Sequence, residues 1–331
     1  MSNPTRSEHY FLDLFRSATL QGAIETAAEK TRGQLRGVPD RIPIDIFRIA
    51  MEKRVRVTND LVGNSCEEGL LIPEKGSYLV RLKQKSTESR RRFSLAHELG
   101  HTFFYRDTGK GLRHQIGVLN MRERTAEERI CNLFASALLM PSQQLRRHLR
   151  GLPTGRPSQL LDRLESVAQT FRVSLPALIQ RLRSTQVDAP GYVLVSLSSR
   201  PNPATGEAIT LRVDTCVGIG GRNNLCIWRN RSAGGVGLNA ALSLYDSWRE
   251  VARKTEIKGC FIFDPTMGLI PSRDKHVCTE EAVILSRTVH GKWATESSRV
   301  ISSSRLYAWT SDEERAAYVI SALTFDAPPS S

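Results

Sequence analysis

The chain has 331 residues, 40% hydrophobic and 24% charged, with a formal net charge of +13 and a sequence pI near 9.8. That length suits about two domains of roughly 150 residues each, and the composition excludes wholesale disorder and fibrous repeats. No run approaches the roughly 18 to 20 apolar residues of a membrane helix, and "MSNPTRSEHYFLDLF" lacks the pattern of a signal peptide, so the expected location is cytoplasmic.

Residues 1–38 read as an N-terminal helical arm, with Ala and Leu at helical spacing in "TLQGAIETAAEKTRGQL". Residues 39–150 form the next unit. In "IDIFRIAMEKRVRVTND", a short helix carrying Ile44, Phe47, Ile49 and Ala50 gives way to an alternating strand start at "RVRV". "GLLIPEKGSYLVRLKQ" predicts a hairpin with strands at 70–72 and 78–82 about a turn at 73–76. A basic stretch from 81 to 92 suits a solvated edge or loop.

"RRFSLAHELGHTFFYRD" (91–107) is a helical run, followed by a loop rich in Gly, Lys and Arg at 106–118. A second helix, "TAEERICNLFASALLM", ends at Pro141, which cannot continue it. Residues 151–186 read as a helix-turn-helix-like segment, with Ser174 capping its second helix and Pro176 in that helix's first turn. From 191 to 327 the chain turns β-rich, with a boundary at "STQVDAPG" (184–191), and a last helix is expected after the capping box Ser311 to Glu314. The expected class is α+β.

The chemistry sits in the first helical run. On a helix, residues four apart share a face with Cβ atoms roughly 5 to 6 Å apart, so His97 and His101 can offer imidazole nitrogens to one ion. Glu98 is placed to hold a water on that ion without ligating it. A divalent cation lowers the pKa of water and a carboxylate takes its proton, which is hydrolytic chemistry. Gly100 costs the helix about 1 kcal/mol relative to Ala, which points to something packed closely against it.

A third ligand must come from downstream, where His114, Glu123, Glu127 and Glu128 are candidates. His114 misses the H-E-x-x-H-x-x-G-x-x-H spacing. Glu128 is preferred because it shares a helical face with Cys131, Asn132 and Ala135. Against it, Thr125 and Glu128 also match a capping box, in which the glutamate satisfies a helix N-terminal amide. Cys131, mid-helix among apolar neighbours, reads as a buried small residue. All six cysteines (Cys66, Cys131, Cys216, Cys226, Cys260 and Cys278) are dispersed without a C-x-x-C pair, so free thiols are expected.

Over roughly 40–142, extended to about 183 by "AQTFRVSLPALIQRL", the chain resembles the ImmA/IrrE metallo-endopeptidases. The resemblance rests on "RRRFSLAHELGHTFF" followed by "EERICNLFASALLMP". It implies a zincin-like fold in which His97, His101 and Glu128 hold Zn2+, or another divalent transition metal such as Mn2+, and Glu98 is the general base. It also implies a protein substrate, a helix-turn-helix transcriptional repressor whose cleavage relieves repression in a stress or mobile-element response. Some members carry a GAF-like sensory domain at the C-terminus, which would take a small-molecule signal. The chain departs from the family at Cys131, where alanine is usual; both residues are small.

The strand "SYLVRL" (77–82), read as an exposed edge, would pair with an extended peptide through Tyr78, Val80 and Leu82; an ordinary protected edge is the alternative. Tyr105 and His114 are candidate oxyanion stabilisers.

A second reading is a DNA-binding regulator with a structural or vestigial metal site. It rests on the net charge and on Arg163, Arg172, Arg181 and Arg183 of the helix pair, although Leu178, Ile179 and Leu182 ask for burial. The glycine runs at 218–221 and 233–237 read as turns and Trp228, Trp248 and Trp309 as core, with His276 and Cys278 a weak metal pair.

Overall fold

The computed structural model describes residues 3–34, 41–61, 68–84, 86–108, 112–153, 157–182 and 184–185, and beyond these the backbone of strands at 192–201, 209–219, 261–264, 268–271, 279–289, 292–310 and 315–325. Two compact units emerge: residues 1–149 with 166–185, and residues 150–165 with 186–331.

The first unit opens with helix α1 (Arg6–Phe15), whose start is a capping box between Thr5 and Glu8, and α2 (Leu20–Arg32), capped by Thr19. Helix α3 (Ile46–Glu52) is capped by Asp45 and leads into a three-stranded sheet of β1 (Val55–Leu61), β2 (Gly69–Glu74) and β3 (Ser77–Lys83). The β2–β3 hairpin closes with Glu74 opposite Ser77, and the turn requires Gly76 at φ 74°, which a Cβ would disfavour. Helix α4 (Glu88–His101) carries the H-E-x-x-H run, and a 3-10 turn at Thr102–Phe104 ends it. Helix α5 (Met121–Leu139) follows, then α6 (Ser142–His148), α7 (Pro157–Phe171) and α8 (Leu175–Leu182).

Helix α5 is the hub of the core, in contact with α1, α2, α4 and α8. Its Ile130, Phe134, Ala135, Leu138 and Leu139 are fully buried, as are Leu95 and Leu99 of α4 and Ala23, Ile24, Ala27 and Ala28 of α2. Each large aliphatic or aromatic side chain so buried stabilises the fold by roughly 1.5 to 3 kcal/mol, which outweighs the weak propensity of "RICN".

The structure corrects four expectations. The sheet order is β1-β3-β2, so β3 is the central strand, parallel to β1 and antiparallel to β2. Its Val80 and Leu82 are fully buried, so they belong to the core; with Tyr78 they sit on a strand paired on both sides and have no open ladder to offer a peptide. The stretch 106–118, expected as a loop, holds a short antiparallel pair, β4 (Tyr105–Asp107) and β5 (Leu112–His114).

Third, α5 starts at Met121 with Asn120 as its cap, so Thr125 lies inside the helix and donates to Met121 O at 2.8 Å; it caps nothing. Fourth, the stretch after Ser311–Glu314 is a strand, β12 (Arg315–Phe325), because its aromatic and β-branched run pairs antiparallel with strands on both sides.

In the second unit, β6 (Tyr192–Pro201), β7 (Ile209–Ile219), β10 (Thr279–Val289), β11 (Lys292–Thr310) and β12 form an antiparallel sheet of order β10-β11-β12-β6-β7. A separate hairpin joins β8 (Phe261–Asp264) and β9 (Gly268–Pro271). The stretch is β-rich, as its composition predicts. Trp228, Trp248, His276, Cys278 and the glycine run at 233–237 lie outside the described residues.

Candidate metal centre

Helix α4 is set by its ends. Thr87 Oγ1 accepts from Arg90 N at 3.4 Å, and Glu88 in the first turn opposes the helix dipole favourably. Arg92 on the same helix donates to Ile44 O at 2.7 Å, tying it to the chain before α3. Leu95 and Leu99 occupy the buried face, which turns His97 and His101 to another side of the helix.

Helix α5 comes close because Gly100 faces Cys131. A Cβ on Gly100 would lie 3.1 Å from Cys131 Cα and 3.2 Å from its Sγ, tighter than ordinary contact, so α5 would have to give by a few tenths of an ångström. The close packing expected at Gly100 is therefore supplied by Cys131, itself fully buried. Burial pushes its thiol pKa up to about 11, against the pull of His101, so it keeps its proton at neutral pH.

The two helices bring three side chains together. His101 Nε2 and His97 Nε2 are 3.1 Å apart, Glu128 Oε2 is 3.2 Å from His97 Nε2, and Glu128 Oε1 is 3.5 Å from His101 Nε2. Ligand atoms of His97, His101 and Glu128 all lie within 4.8 Å of one another.

The other ring nitrogens are committed elsewhere. His97 Nδ1 faces Asn132 Oδ1 at 3.0 Å and His101 Nδ1 faces Glu127 Oε1 at 2.7 Å, which assigns a proton to each Nδ1 and leaves each Nε2 a bare acceptor. Two Nε2 lone pairs and a carboxylate thus converge with no donor among them. Acceptors so placed repel one another unless a cation sits between them.

Separations can be tested against a metal. Bonds of about 2.0 to 2.1 Å at the tetrahedral angle place ligand atoms about 3.3 Å apart. The observed 3.1, 3.2 and 3.5 Å bracket that value. These residues fit a divalent cation.

Glu98 is buried, and that burial raises its carboxyl pKa, opposed by the nearby imidazoles of His101 and His97. It accepts a backbone hydrogen bond from Leu71 of β2. A Cβ on Gly69 would lie 2.9 Å from Glu98 Oε1, so the glycine at the start of β2 makes room for the carboxylate.

Of the other downstream candidates, Glu123 is spent elsewhere: its Oε2 accepts from Ser7 N and Ser7 Oγ, both at 2.9 Å, docking α1. Glu127 and Asn132 orient the histidines from behind, a role the sequence reading missed. Asn132 follows Glu128 by one helical turn, which was the available signal. Tyr105 is partly buried, which with the charge of Glu127 raises its phenol pKa; its ring lies 5.1 Å from that of His114 and 6.4 Å from that of Tyr78.

Of the arginines of the helix pair, Arg163 is exposed, whereas Arg181 is spent inside the first unit. Leu178, Ile179 and Leu182 are buried, and Arg181 is 2% exposed, its Nη1 2.7 Å from Glu25 Oε1. Arg172 pairs with Glu88. Arg183 lies outside the described residues.

An H-E-x-x-H turn on one helix, facing a glutamate of the next, with a mixed sheet beside it, is the arrangement of a metallopeptidase-type domain. Residues 50–183 match the family model Peptidase_M78, described as the IrrE N-terminal-like domain, so this part of the chain is similar to the ImmA/IrrE family. Among solved structures that match, a Mycobacterium tuberculosis transcriptional regulator aligns with a TM-score of 0.51 at 10% identity, covering 96% of this chain and 80% of that one. At that identity the likeness is one of fold. No curated protein matches the chain.

Proposed function

We propose that the chain is a cytoplasmic zinc-dependent endopeptidase that cleaves a protein partner, a helix-turn-helix transcriptional repressor, relieving repression in a stress or mobile-element response. The observation that carries this reading is the convergence of His97 Nε2, His101 Nε2 and the Glu128 carboxylate at tetrahedral-edge separations. Three protein ligands leave one position open, as catalysis requires. Zn2+ is the ion of choice for a set of two imidazoles and one carboxylate, with Mn2+ a competitor.

When bound, the cation supplies Lewis acidity, lowering the pKa of water and polarising a carbonyl. Glu98 takes the proton of the attacking water at its carboxylate and delivers it to the departing amine nitrogen. Burial, which raises its pKa, brings it nearer to the pH at which both transfers are efficient. Among the described residues β2 has an open edge, and its Gly69 and Leu71 already touch Glu98. An extended peptide pairing along β2 would bring its backbone to the carboxylate. The choice of a repressor rests on the family and is in keeping with the transcriptional regulator that shares the fold. A small-molecule signal at the β-rich unit would regulate cleavage.

The test is co-expression of the full chain with helix-turn-helix repressors from the same cell, wild type against Glu98→Gln. The reading expects a shortened repressor with the wild type and intact repressor with a zinc-loaded variant. Equal cleavage by both would overturn the assigned chemistry.

A further inference from the structure

Behind the three converging side chains runs a second line of contacts that the proposed reaction leaves unused. Ile116 N–H donates to His114 Nδ1 at 3.3 Å, which makes that nitrogen an acceptor and puts the ring proton on Nε2. His114 Nε2 lies 2.9 Å from Glu127 Oε2, while Glu127 Oε1 lies 2.7 Å from His101 Nδ1. Both oxygens of this buried carboxylate therefore accept from a histidine, one on β5 and one on α4.

The His114 ring is held on two sides, stacked on Phe104 with an interplanar angle of 5° and met edge-on by Tyr105. A ring so fixed has one orientation in which to donate. A carboxylate accepting one hydrogen bond can still pivot about its own axis; one accepting a bond at each oxygen cannot do so without losing one of them.

We propose that His114 is a positioning residue for the metal centre: acting through Glu127, it locks the His101 ring with Nδ1 protonated and Nε2 aimed at the ion, so that the β4–β5 pair helps to build the site. This rests on the reading of His97, His101 and Glu128 as ligands. A role for His114 in oxyanion stabilisation, the sequence expectation, does not follow, because its Nε2 is engaged away from the ligand atoms.

The test measures Zn2+ affinity of the full chain by competition with a chromophoric chelator, for wild type, Glu127→Gln, His114→Phe, His114→Gln and the double variant Glu127→Gln/His114→Phe. Losing an outer partner of a ligating histidine weakens binding by about 10- to 100-fold, which is expected for Glu127→Gln. His114→Phe should weaken it in the same direction. His114→Gln, whose amide can still donate, should recover part of the loss, and the double variant should bind no more weakly than Glu127→Gln alone.

Nitrogen-15 NMR of the imidazoles in the unaltered, zinc-loaded protein reads the same claim without a variant, expecting the Nε2–H tautomer at His114 and Nδ1–H at His101. An Nδ1–H tautomer at His114, or a loss from His114→Phe that adds in full to that of Glu127→Gln, would overturn the proposal. A wild-type chain that binds no Zn2+ would instead overturn the ligand reading beneath it.

Discussion

Gly100 and Cys131 meet so closely across the α4–α5 interface that a Cβ on Gly100 would stand 3.1 Å from Cys131 Cα. The obstacle is backbone, so one helix must move. Gly100→Ala gains up to about 1 kcal/mol in helix propensity, whereas overpacking costs about 1 to 3 kcal/mol. The expected net is a loss of about 1 kcal/mol by denaturant unfolding, with weaker Zn2+ binding because Glu128 rides on the displaced helix. A variant with unchanged Zn2+ affinity would show that the close approach does not set the site.

Gly69→Ala acts on a different atom. The added carbon would lie 2.9 Å from Glu98 Oε1 and 3.1 Å from its Cγ, and a side chain can yield where a backbone cannot. Zn2+ affinity and folding should stay near wild type while repressor cleavage falls at least about tenfold, because Glu98 is turned from its place. Loss of metal binding in this variant would contradict the separation of ligands from base.

Arg181 binds Glu25 at 2.7 Å, Ser142 Oγ at 2.8 Å and Met140 O at 3.1 Å, joining α8 to α2 and to the end of α5. Removing one partner of a buried pair costs about 3 to 5 kcal/mol, and with Glu25 partly exposed Arg181→Met should fall near the lower figure.

The pH dependence follows from Glu25. Burial raises its pKa, but Arg181, with Ser142 and Gln21, lowers it further, leaving it below the ordinary 4.5. A folded-state pKa below the unfolded one means stability that is present above pH 4.5 and is lost as pH falls through the folded value. Urea unfolding from about pH 6 downward should show this acid loss in the wild type and a shallower one in Arg181→Met. Parallel profiles would remove Glu25 from the account.

Glu123 docks α1 by accepting from Arg6 N at 3.1 Å and Ser7 N at 2.9 Å, capping that helix from another element. Glu123→Ala should cost about 1 kcal/mol, as loss of a cap does, and should raise amide exchange in α1 while leaving Zn2+ affinity unchanged. Weakened zinc binding would mean that the arm supports the site.

Much of the site could be read from residue spacing, and the reason is local: four residues make a helical turn, so His97 and His101 had to share a face whatever the rest of the chain did. The onset of α5 was harder, because Asn120–Glu123 and Thr125–Glu128 both carry cap-like spacing, and the first is favoured only in the fold, where Asn120 Oδ1 accepts from Glu123 N and the Glu123 carboxylate is held by Ser7 of α1. Alternation in "SYLVRL" marks a strand that buries one face but says nothing of who sits on either side, and β3 proved central. Three-residue strands such as β4 and β5 give no period to detect. The partnership of Glu127 with His114 depends on that pairing, so it was invisible until the hairpin was placed. Residues 315–325 show the opposite failure, where cap-like spacing in the preceding sequence yields to long-range pairing of an aromatic and β-branched run.

Zinc K-edge X-ray absorption on the purified full chain tests the central claim most directly, because it reports the atoms bound to the ion. The account predicts a shell of nitrogen and oxygen at about 2.0 to 2.1 Å with the outer-shell pattern of two imidazoles and no sulfur. A sulfur shell at about 2.3 Å, placing Cys131 on the metal, or the absence of an imidazole pattern, would contradict it.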